Sequence, residues 1–331
     1  MYNNRLMKKI LITGGSGFVG SHVIKNIINQ KQINSSIDVL DNLTTFTKNN
    51  DKEKIRNKEF REKIRLGVKQ YFEVDTCDYR SLMDIISSKQ YDLIIHLAAM
   101  PLATVAIEFP SLAFDAIVKG TQNILECVRV TGSKTKIVYV SSSMVYGDFI
   151  RDGLAYESDP CSPKEIYGSL KYAGEILAKA YAKRYSMDTV ICRPSAVYGP
   201  GDDNQRVVHS LLANALNNKP MKIYNGAETF LDFTYVDDLA NSLIAIGTTE
   251  KKFSGDIFNV TRGQARSLLD VAKIIKKIIP GSVIEEVENI EDFRPKRGTL
   301  SSEKIQKEIG FQSKIDLEDS LPIYKKYLNN E

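Results

Sequence analysis

The sequence contains no tryptophan, only three histidines and only four cysteines in 331 residues. The cysteines (Cys77, Cys127, Cys161 and Cys192) are widely spaced, and neither a Cys-x-x-Cys pair nor a Cys/His cluster occurs. A metal site is therefore not expected. Thiols without a disulfide or metal framework are expected to stay reduced, as they do in a cytoplasm.

Long apolar runs and a strong net charge are also missing. No segment has the ~18 consecutive apolar residues of a membrane span. The polar, basic start leads into only three apolar residues, 10–12, which is too few for the core of a signal peptide. The net charge of +4 does not favour nucleic-acid binding. We therefore expect a cytoplasmic protein that binds neither membranes nor nucleic acid.

Short apolar segments alternate with helical segments over the first two thirds of the chain. The predicted strands are residues 9–13, 37–41, 70–74, 91–97, 136–140 and 189–192. A series of βαβ units of this kind predicts an α/β fold, with a Rossmann-type, doubly wound parallel sheet and helices on both faces. The charged segment 48–65 is predicted to be a helical insertion with a solvated face, rather than a binding site.

The pattern changes after about residue 193. Pro194, Gly199, Pro200 and Gly201 interrupt the chain, and short strands and helices follow, including a predicted helix at 267–279. We expect a smaller C-terminal α/β lobe that binds substrate at the carboxyl ends of the parallel strands, where open α/β sheets bind ligands. Residues 256–260 are predicted to return to the main sheet. The predicted Rossmann domain is 1–193 plus about 229–261, and the predicted lobe is 194–228 and 262–331.

A glycine-rich turn, Thr-Gly-Gly-Ser-Gly-Phe-Val-Gly at 13–20, directly follows the first predicted strand. Gly14, Gly17 and Gly20 let the backbone turn tightly and approach a pyrophosphate closely. The helix predicted at about 21–29 would add free N–H groups and the positive end of its dipole. This strand–turn–helix context predicts a dinucleotide site, and a glycine-rich turn without a ligand is the alternative.

Asp41 ends the second predicted strand, 21 residues after Gly20. A carboxylate at this position accepts hydrogen bonds from both ribose hydroxyls of an adenosine and repels a 2′-phosphate, so it favours NAD over NADP. Asp75, just after the third predicted strand, is a candidate for contact with the adenine. A turn or cap residue is the alternative interpretation of Asp75.

Tyr167 and Lys171 lie four residues apart in a segment, 165–185, that is rich in Ala, Leu and Lys and contains no proline. On a helix these two positions share a face. A free phenol loses its proton near pH ~10, and a cation beside it favours the phenolate. The pair could therefore act as a general base near neutral pH. Because the same spacing occurs by chance in many helices, this interpretation depends on the glycine turn and Asp41.

The glycines, Asp41, a serine run at 141–143 and the Tyr167/Lys171 pair together resemble the extended short-chain dehydrogenase/reductase superfamily, and more narrowly its nucleotide-sugar epimerase/dehydratase group. Matching stretches extend over nearly the whole chain: HLAA at 96–99, SSSMVYG at 141–147, RPSAVYGPG at 193–201, DFTYVDD at 232–238 and RPKRG at 294–298. The resemblance implies NAD as cofactor and a nucleotide-diphosphate sugar as substrate. It also implies a homodimer formed through helices at about 112–130 and 165–185.

The resemblance assigns roles to individual residues. Tyr167 would be the base that takes the proton of the sugar C4 hydroxyl, supported by Lys171 and Ser142, with Ser143 as a second candidate for the serine. The implied cofactor-binding residues are Gly14, Gly17, Phe18, Val19, Gly20, Asp41, Asn42, Asp75, Thr76, Leu97, Ala98, Ala99, Pro101, Tyr167, Lys171 and Pro194. The implied substrate-binding residues are Ser142, Tyr167, Arg206 and Arg294, with Arg297 as an alternative to Arg294.

The implied reaction begins with hydride transfer from the sugar C4 to NAD, which gives a 4-keto sugar. In the group's dehydratases the Ser/Thr is followed by Asp-Glu, whereas Ser143 and Met144 occupy those positions here. We therefore favour an NAD-dependent nucleotide-sugar 4-epimerase over a 4,6-dehydratase or a 4-dehydrogenase. A non-catalytic NAD-binding regulator is the alternative outside enzymes, since function depends on the site and not on the fold.

Three residues depart from the pattern of the group. Ile117 replaces the Asn of its Asn-Val-x-Gly-Thr helix, Ala196 replaces a substrate-contacting Asn, and Leu231 replaces an Arg that meets the diphosphate. Loss of that arginine removes a charge-assisted, often bidentate contact. Another cation must compensate for it, and the identity of the sugar and the nucleotide stays open.

Overall fold

The computed structural model describes residues 8–30, 34–44, 51–100, 102–150, 153–202, 204–225, 227–288 and 295–330, without the side chains of 51–55 and 63. The strands are β1 (Lys8–Thr13), β2 (Ser35–Asp41), β3 (Gln70–Glu73), β4 (Leu93–His96), β5 (Lys136–Val140), β6 (Leu154–Ala155), β7 (Thr189–Arg193), β8 (Val197–Tyr198), β9 (Met221–Tyr224), β10 (Phe230–Asp232), β11 (Thr234–Tyr235), β12 (Ser254–Asn259), β13 (Ala265–Ser267), β14 (Ile284–Val287) and β15 (Thr299–Leu300).

The helices follow the same chain order. They are α1 (Phe18–Asn29), α2 (Asp51–Arg65), α3 (Tyr79–Lys89), α4 (Ala103–Glu108), α5 (Pro110–Phe114), α6 (Gly120–Thr131), α7 (Ile166–Tyr185), α8 (Val207–Leu216), α9 (Val236–Thr248), α10 (Leu268–Ile278), α11 (Glu303–Ile309) and α12 (Leu317–Asn329). A π-type turn at Asp115–Lys119 joins α5 to α6, and a 3-10 turn at Ser143–Tyr146 follows β5. Within the described ranges, no helix combines the length and the apolar character that crossing a membrane requires.

The central sheet has seven strands in the order β12-β7-β5-β4-β1-β2-β3, and every neighbouring pair is parallel. The predicted doubly wound parallel sheet is therefore confirmed. The chain runs outward from β1 in one direction to β2 and β3, and in the other direction to β4 and β5. Such a switch point opens a crevice at the carboxyl ends of the strands, where ligands bind.

The predicted strands agree with the observed ones to within two residues at each end. Residues 256–260 were predicted to rejoin the main sheet, and β12 does so beside β7. The first helix starts at Phe18, three residues before the prediction, because Gly17 already serves as its N-cap. The predicted helix at 267–279 is α10. It begins with a capping box between Ser267 and Asp270.

Hydrophobic side chains cover both faces of the sheet. Ile10 and Ile12 of β1 pack into a cluster with residues of α1 and α9. Leu11, between them, points to the opposite cluster, which α3 and α6 complete. This alternation along a strand that is buried on both sides is typical of parallel sheets. A further cluster joins α8, α10 and α12 beyond the sheet.

The charged insertion forms α2, and its two faces differ. Lys58 and Glu59 are exposed, as predicted for a solvated helix. The other face packs, with the Phe60 ring 5.9 Å from the Tyr327 ring and Arg56 Nη1 donating to the carbonyl of Leu328 at 2.9 Å. The charge pattern did not predict this second face, because the described partners of Phe60 and Arg56 on α12 are distant in sequence.

Candidate active site

The glycine turn forms a close-packed cradle at the start of α1. Gly14 has a φ of +71°, and a Cβ there would lie 2.7 Å from the amide nitrogen of Ala98. A Cβ on Gly20 would collide with the carbonyl oxygen of Gly14 and lie 2.7 Å from Gly15 Cα. Gly17 caps the helix, and the nearest atom to a Cβ on it is 3.2 Å away. The turn can therefore pack this tightly against β4 and the start of α1 only because Gly14 and Gly20 have no side chains, and the free amides at the start of α1 can bind a phosphate group.

The two residues after Gly17 face different surroundings. Phe18 is buried, and the centroid of its ring lies 5.9 Å from that of His22. Val19 is half-buried and packs against the hydrophobic cluster between the sheet, α1 and α9. Both were predicted to contact the cofactor, and the described contacts of Val19 point its side chain toward the core.

Asp41 ties the end of β2 to the glycine turn. One carboxylate oxygen accepts a hydrogen bond from the amide of Ser16 at 2.9 Å, and the other accepts one from the amide of Leu43 at 2.9 Å. Burial raises the pKa of Asp41, while these bonds and the charge of Arg61 oppose the rise. Each oxygen keeps a further lone pair, so the carboxylate can also accept from ribose hydroxyls.

Asn42 and Asp75 meet at the same edge of the sheet. Asn42 Nδ2 donates to Asp75 Oδ2 at 2.7 Å, and Asp75 Oδ1 accepts from the amide of Cys77 at 2.7 Å. Asp75 therefore acts as a turn residue and also lies in the predicted adenosine region. Thr76 is buried, and its carbonyl accepts from Asn123 at 2.9 Å, which directs its backbone toward α6.

Leu97, Ala98 and Ala99 follow β4 and form the opposite wall of the crevice. The amide of Leu97 donates to the carbonyl of Thr13 at 3.0 Å, and the amide of Ala98 donates to the Thr13 hydroxyl at 3.3 Å. All three residues are half-buried, as a wall next to a ligand would be. Pro101, which was predicted to belong to the same wall, lies outside the described residues.

A buried hydrogen-bond chain supports this wall from below. The Thr121 hydroxyl donates to the carbonyl of Ile117 at 2.5 Å, so its oxygen must accept from Nε2 of His96, 3.1 Å away. His96 is then protonated on Nε2, and its Nδ1 accepts from the Thr13 hydroxyl at 2.7 Å. Burial lowers the pKa of His96 to about 3, which keeps the ring neutral. The chain links β1, β4 and the π-type turn, where Ile117 contributes its carbonyl.

Tyr167 and Lys171 lie in the first two turns of α7, on one face as predicted. Lys171 is 4% exposed, its Nζ lies 6.0 Å from the centroid of the Tyr167 ring, and it donates to the carbonyl of Val140 at 2.8 Å. Burial lowers the pKa of Lys171 to about 7, against the opposing charge of Glu175. Lys171 therefore loses its proton more easily than a free lysine does, and nearby charges can change its protonation state.

Ser142 is the serine that reaches the phenol. Burial raises the pKa of Tyr167, while the charge of Arg206 and a hydrogen bond with Ser142 oppose the rise. Lys171 was expected to lower the pKa of Tyr167. This expectation is not met, because burial raises this pKa more than the opposing groups lower it. Ser143 is only 1% exposed, and its amide donates to the carbonyl of Pro194 at 2.9 Å. This bond places Pro194 beside the serine run. The half-buried Ser142, and not the buried Ser143, is therefore favoured as the functional serine.

Arg206 lies at the mouth of the crevice, as the N-cap residue of α8. It forms an ion pair with Asp202, and its guanidinium carbon lies 5.4 Å from the centroid of the Phe18 ring. Its charge also opposes the rise in the pKa of the Tyr167 phenol. Arg294, the other predicted substrate-binding arginine, lies outside the described residues.

Helix α2 covers the adenosine side of the same crevice. The Phe60 ring lies 5.3 Å from the His22 ring, and a Cβ on Gly201 would come within 3.4 Å of Phe60. The positive charge of Arg61 reaches Asp41. The insertion therefore lies close to the predicted cofactor residues.

The structure describes the surroundings of Ala196 and Leu231, two residues that depart from the pattern of the epimerase/dehydratase group. Ala196 has a φ of +36°, a region in which Gly and Asn are favoured over Ala, so the Asn of the group also suits this backbone. Leu231 is buried in the cluster around α8 and α10, and it stands directly opposite Arg266 in the β10–β13 pair.

One ion pair beside the site was not found in the sequence. Glu175 and Arg193 are fully buried, and Arg193 Nη2 lies 2.6 Å from Glu175 Oε2. The Ser141 hydroxyl also donates to Glu175, at 2.6 Å. Glu175 follows Lys171 by four residues, and this spacing was the signal that could have pointed to it. Among the residues that the structure describes, no three His, Cys, Asp or Glu side chains are grouped to hold a metal ion.

The chain matches known proteins over most of its length. Residues 10–261 match the model of the NAD dependent epimerase/dehydratase family. The chain is 27% identical to a dTDP-glucose 4,6-dehydratase of Escherichia coli, over 98% of this chain and 94% of that protein. It is 30% identical to a putative UDP-glucose 4-epimerase of Methanocaldococcus jannaschii, over 97% of this chain and 98% of that protein.

A solved structure shows the same fold. The UDP-glucuronic acid 4-epimerase of Bacillus cereus, in complex with UDP-glucuronic acid and NAD, is 24% identical and aligns with a TM-score of 0.86, over 97% of this chain and 99% of that one. The tight turn that Gly14 and Gly20 allow before α1, and the carboxylate of Asp41 beside it, fit the NAD that the family uses. The chain therefore belongs to the NAD-dependent epimerase/dehydratase family, within the extended short-chain dehydrogenase/reductase superfamily.

Proposed function

We propose that this enzyme is a nucleotide-sugar 4-epimerase that works through a 4-keto intermediate. The observation that carries the proposal is that Lys171 Nζ lies 6.0 Å from the centroid of the Tyr167 ring and Ser142 forms a hydrogen bond with its phenol, while Met144 stands where a dehydratase needs a carboxylate. The relatives support the broader reaction class, because their names include both 4-epimerases and a 4,6-dehydratase.

In this proposal the cofactor-binding residues lie along the switch point of the sheet. Gly14, Gly17 and Gly20 would receive the pyrophosphate at the start of α1, and Asp41 would accept from the adenosine ribose hydroxyls. Leu97–Ala99 and Pro194 would border the nicotinamide end. When bound there, NAD supplies the acceptor for a hydride from the sugar.

The chain's own groups would handle the proton of the C4 hydroxyl. Tyr167 oxygen would take this proton, and the hydrogen bond from Ser142 would orient the sugar oxygen toward it. Lys171 would stabilise the phenolate by its charge and bind ribose hydroxyls with the N–H groups not used on Val140. Returning the proton from Tyr167 as hydride returns to the opposite face of C4 would complete the epimerisation.

Elimination of water across C5–C6 would need an acid and a base beside the serine. The two residues that follow Ser142 are a buried Ser143 and Met144, and neither side chain can carry a proton as a carboxylate does. The absence of an Asp-Glu pair at these positions favours epimerisation. A 4,6-dehydratase or a 4-dehydrogenase is the second candidate, because the first step is shared.

Because Leu231 replaces the arginine that usually binds the diphosphate in this group, other arginines would have to supply the positive charge. Arg206 faces the crevice beside Phe18. Arg266 is the cross-strand neighbour of Leu231, so its side chain starts from the same face of the β10–β13 pair. We propose that these two arginines, with Arg294 from the segment outside the described residues, bind the diphosphate.

The experiment that tests this function follows products by NMR after incubation with UDP-, GDP-, CDP- and dTDP-sugars. A 4-epimerase converts one sugar into its C4 epimer, reaches the same mixture from either side and releases no net NADH. A 4-keto-6-deoxy product would establish a dehydratase instead, and stoichiometric NADH would establish a dehydrogenase. An NAD-loaded protein that transforms none of these sugars would contradict the proposed function.

Two glycine variants should separate packing from cofactor binding. Gly20→Ala should lower the free energy of unfolding without NAD by about 1–3 kcal/mol, because its Cβ collides with backbone atoms of the turn. Gly17→Ala has more space, so it should cost less than about 1 kcal/mol, yet weaken NAD binding about tenfold by facing the pyrophosphate. Urea unfolding and NAD titration measure both effects. Equal losses of stability in the two variants would contradict the cradle.

We also propose a homodimer formed through α5, α6 and α7. Leu112 and Phe114 on α5, Val130 on α6 and Ile176 on α7 are each about half exposed, which is unusual for large apolar residues grouped on adjacent helices. Leu112→Glu should convert the dimer into monomers in sedimentation velocity experiments. Leu66→Glu is the control, since Leu66 is 90% exposed at the end of α2, away from these helices. A wild-type protein that sediments as a monomer would refute the dimer.

A further inference from the structure

Glu175 continues the face of α7 that carries the catalytic pair. Tyr167, Lys171 and Glu175 follow each other at intervals of four residues on a 20-residue helix, so their side chains lie one above the other. Lys171 is 4% exposed and Glu175 is fully buried. Buried ionised groups are costly unless they are paired, so the charges around this face determine which of them stay ionised.

Residues at the ends of two neighbouring strands donate hydrogen bonds to Glu175, and one of them, Arg193, neutralises its charge. Arg193 ends β7, and its Nε and Nη2 donate to the two carboxylate oxygens at 2.9 and 2.6 Å. The Ser141 hydroxyl, just after β5, donates to the first of these oxygens at 2.6 Å. Arg193 is itself fixed in place, because its guanidinium lies 4.5 Å from the centroid of the Tyr146 ring. Glu175 is thus a buried carboxylate with rigidly placed donors.

The other groups around Lys171 carry no negative charge at neutral pH. From β5, the Val140 carbonyl accepts its hydrogen bond and the ring of Tyr139 lies 5.5 Å from Nζ. Burial raises the pKa of Tyr139 well above its usual value, and burial keeps His96 of β4 neutral with a pKa of about 3. Tyr167 lies on the same helix, also with a raised pKa, and Arg206 from α8 acts on that phenol. Glu175 is therefore the carboxylate that faces Lys171 among these groups.

We propose that Glu175 is a positioning residue that keeps Lys171 charged during turnover, and that Arg193 limits this effect by neutralising part of the carboxylate. The inference rests on the proposed function, since it assumes that the Lys171 ammonium serves Tyr167. A nearby carboxylate favours the ammonium, and a cation bound to that carboxylate weakens the preference. The ion pair would thereby set the upper pH limit of activity. Burial opposes the ammonium and lowers the pKa of Lys171 to about 7, so a small change in the nearby charges falls within the working range of pH.

The first test compares two variants that should act in opposite directions. Activity requires charged Lys171, so it falls as pH rises through the pKa of Lys171. Glu175→Gln removes the negative charge and should move this fall to lower pH by about one unit. Arg193→Met leaves the carboxylate unneutralised and should move it to higher pH. The measurement is kcat against pH for NAD-loaded enzyme with the sugar identified by the product screen.

Further variants guard against loss of folding. Glu175→Gln/Arg193→Met removes both charges together and should shift the fall to lower pH by less than Glu175→Gln alone. Ser141→Ala removes one donor without a charge. The matched control is Glu285→Gln, because Glu285 of β14 pairs with Lys222 of β9 at 3.7 Å, and both side chains are about half exposed. This control should leave the pH profile unchanged.

A second measurement does not depend on turnover. With ¹³C-labelled lysine side chains, the Lys171 signal, assigned by its loss in Lys171→Met, should titrate at lower pH in Glu175→Gln and at higher pH in Arg193→Met. If the wild type turns over no nucleotide sugar, the proposed function fails while this titration still tests the coupling. If the wild type is active but the folded variants share its titration and pH profile, the role of Glu175 is refuted alone.

Discussion

Replacing Tyr167 with Phe should lower kcat about 10²–10⁴-fold, which is the range that a positioned general base contributes. The substitution keeps the ring, which packs against the buried cluster of Met100, Val105 and Ile117, so folding should be preserved. It removes only the oxygen that bonds with Ser142 and would accept the substrate proton. Turnover by NMR and bound NAD by absorbance after denaturation measure the two effects separately.

A second tyrosine of the same helix provides the control. Tyr172 lies five residues further along α7 and packs against a different cluster, as Phe149 and Cys161 do. Tyr172→Phe should leave both kcat and bound NAD unchanged. Full activity in Tyr167→Phe would remove the base from the mechanism, and with it the epimerase assignment. A regulator that only binds NAD would show no difference between the two variants in any binding assay.

Replacing Glu175 with Ala should lower the free energy of unfolding by about 3–5 kcal/mol, the usual cost of leaving one partner of a buried ion pair alone. Arg193 is 1% exposed and would keep its charge without the carboxylate that satisfies Nε and Nη2. The Ser141 hydroxyl would lose its acceptor as well. Urea or guanidinium unfolding, followed by circular dichroism, measures the loss.

Two comparisons show whether the loss comes from the buried charge. Removing both charges in Glu175→Leu/Arg193→Met should recover most of the stability, because no unpaired charge remains in the interior. Glu285→Ala breaks the partly exposed pair with Lys222 and should cost only about 0–1 kcal/mol. A double variant as unstable as Glu175→Ala would instead assign the loss to packing rather than to the isolated guanidinium.

The sequence predicted the sheet well because its strands are short and bounded by clear turns. β5 was predicted to the residue, and the return of residues 256–260 to the sheet was correct. The start of α1 was misplaced, because the apolar residues Phe18 and Val19 read as part of the turn although Gly17 already caps the helix. The packed face of α2 could not be predicted, since Phe60 finds its partners only in the folded chain.

The site was predictable where its residues are close in sequence. The glycine turn and the Tyr167/Lys171 spacing are local patterns, and the structure places them at one crevice. The buried partners of these groups come from different strands, as with Glu175 and Arg193, so sequence spacing carries little information about them. The direction of the Tyr167 pKa depends on burial, which the spacing of two residues does not reveal. The roles of the individual site residues, the homodimer and the cytoplasmic location stay predictions.

The contact between α2 and α12 has a kinetic consequence. It joins Arg56 and Leu328, which are 272 residues apart, so the chain must close a very long loop before the contact forms. The same contact holds α2 against the edge of the crevice near Asp41. Detaching α2 would break its described contacts with His22 and Tyr327 and leave the seven-stranded sheet intact, so we expect a local opening and not global unfolding. The residence time of bound NAD would then depend on this long-range contact and not on the global stability of the fold.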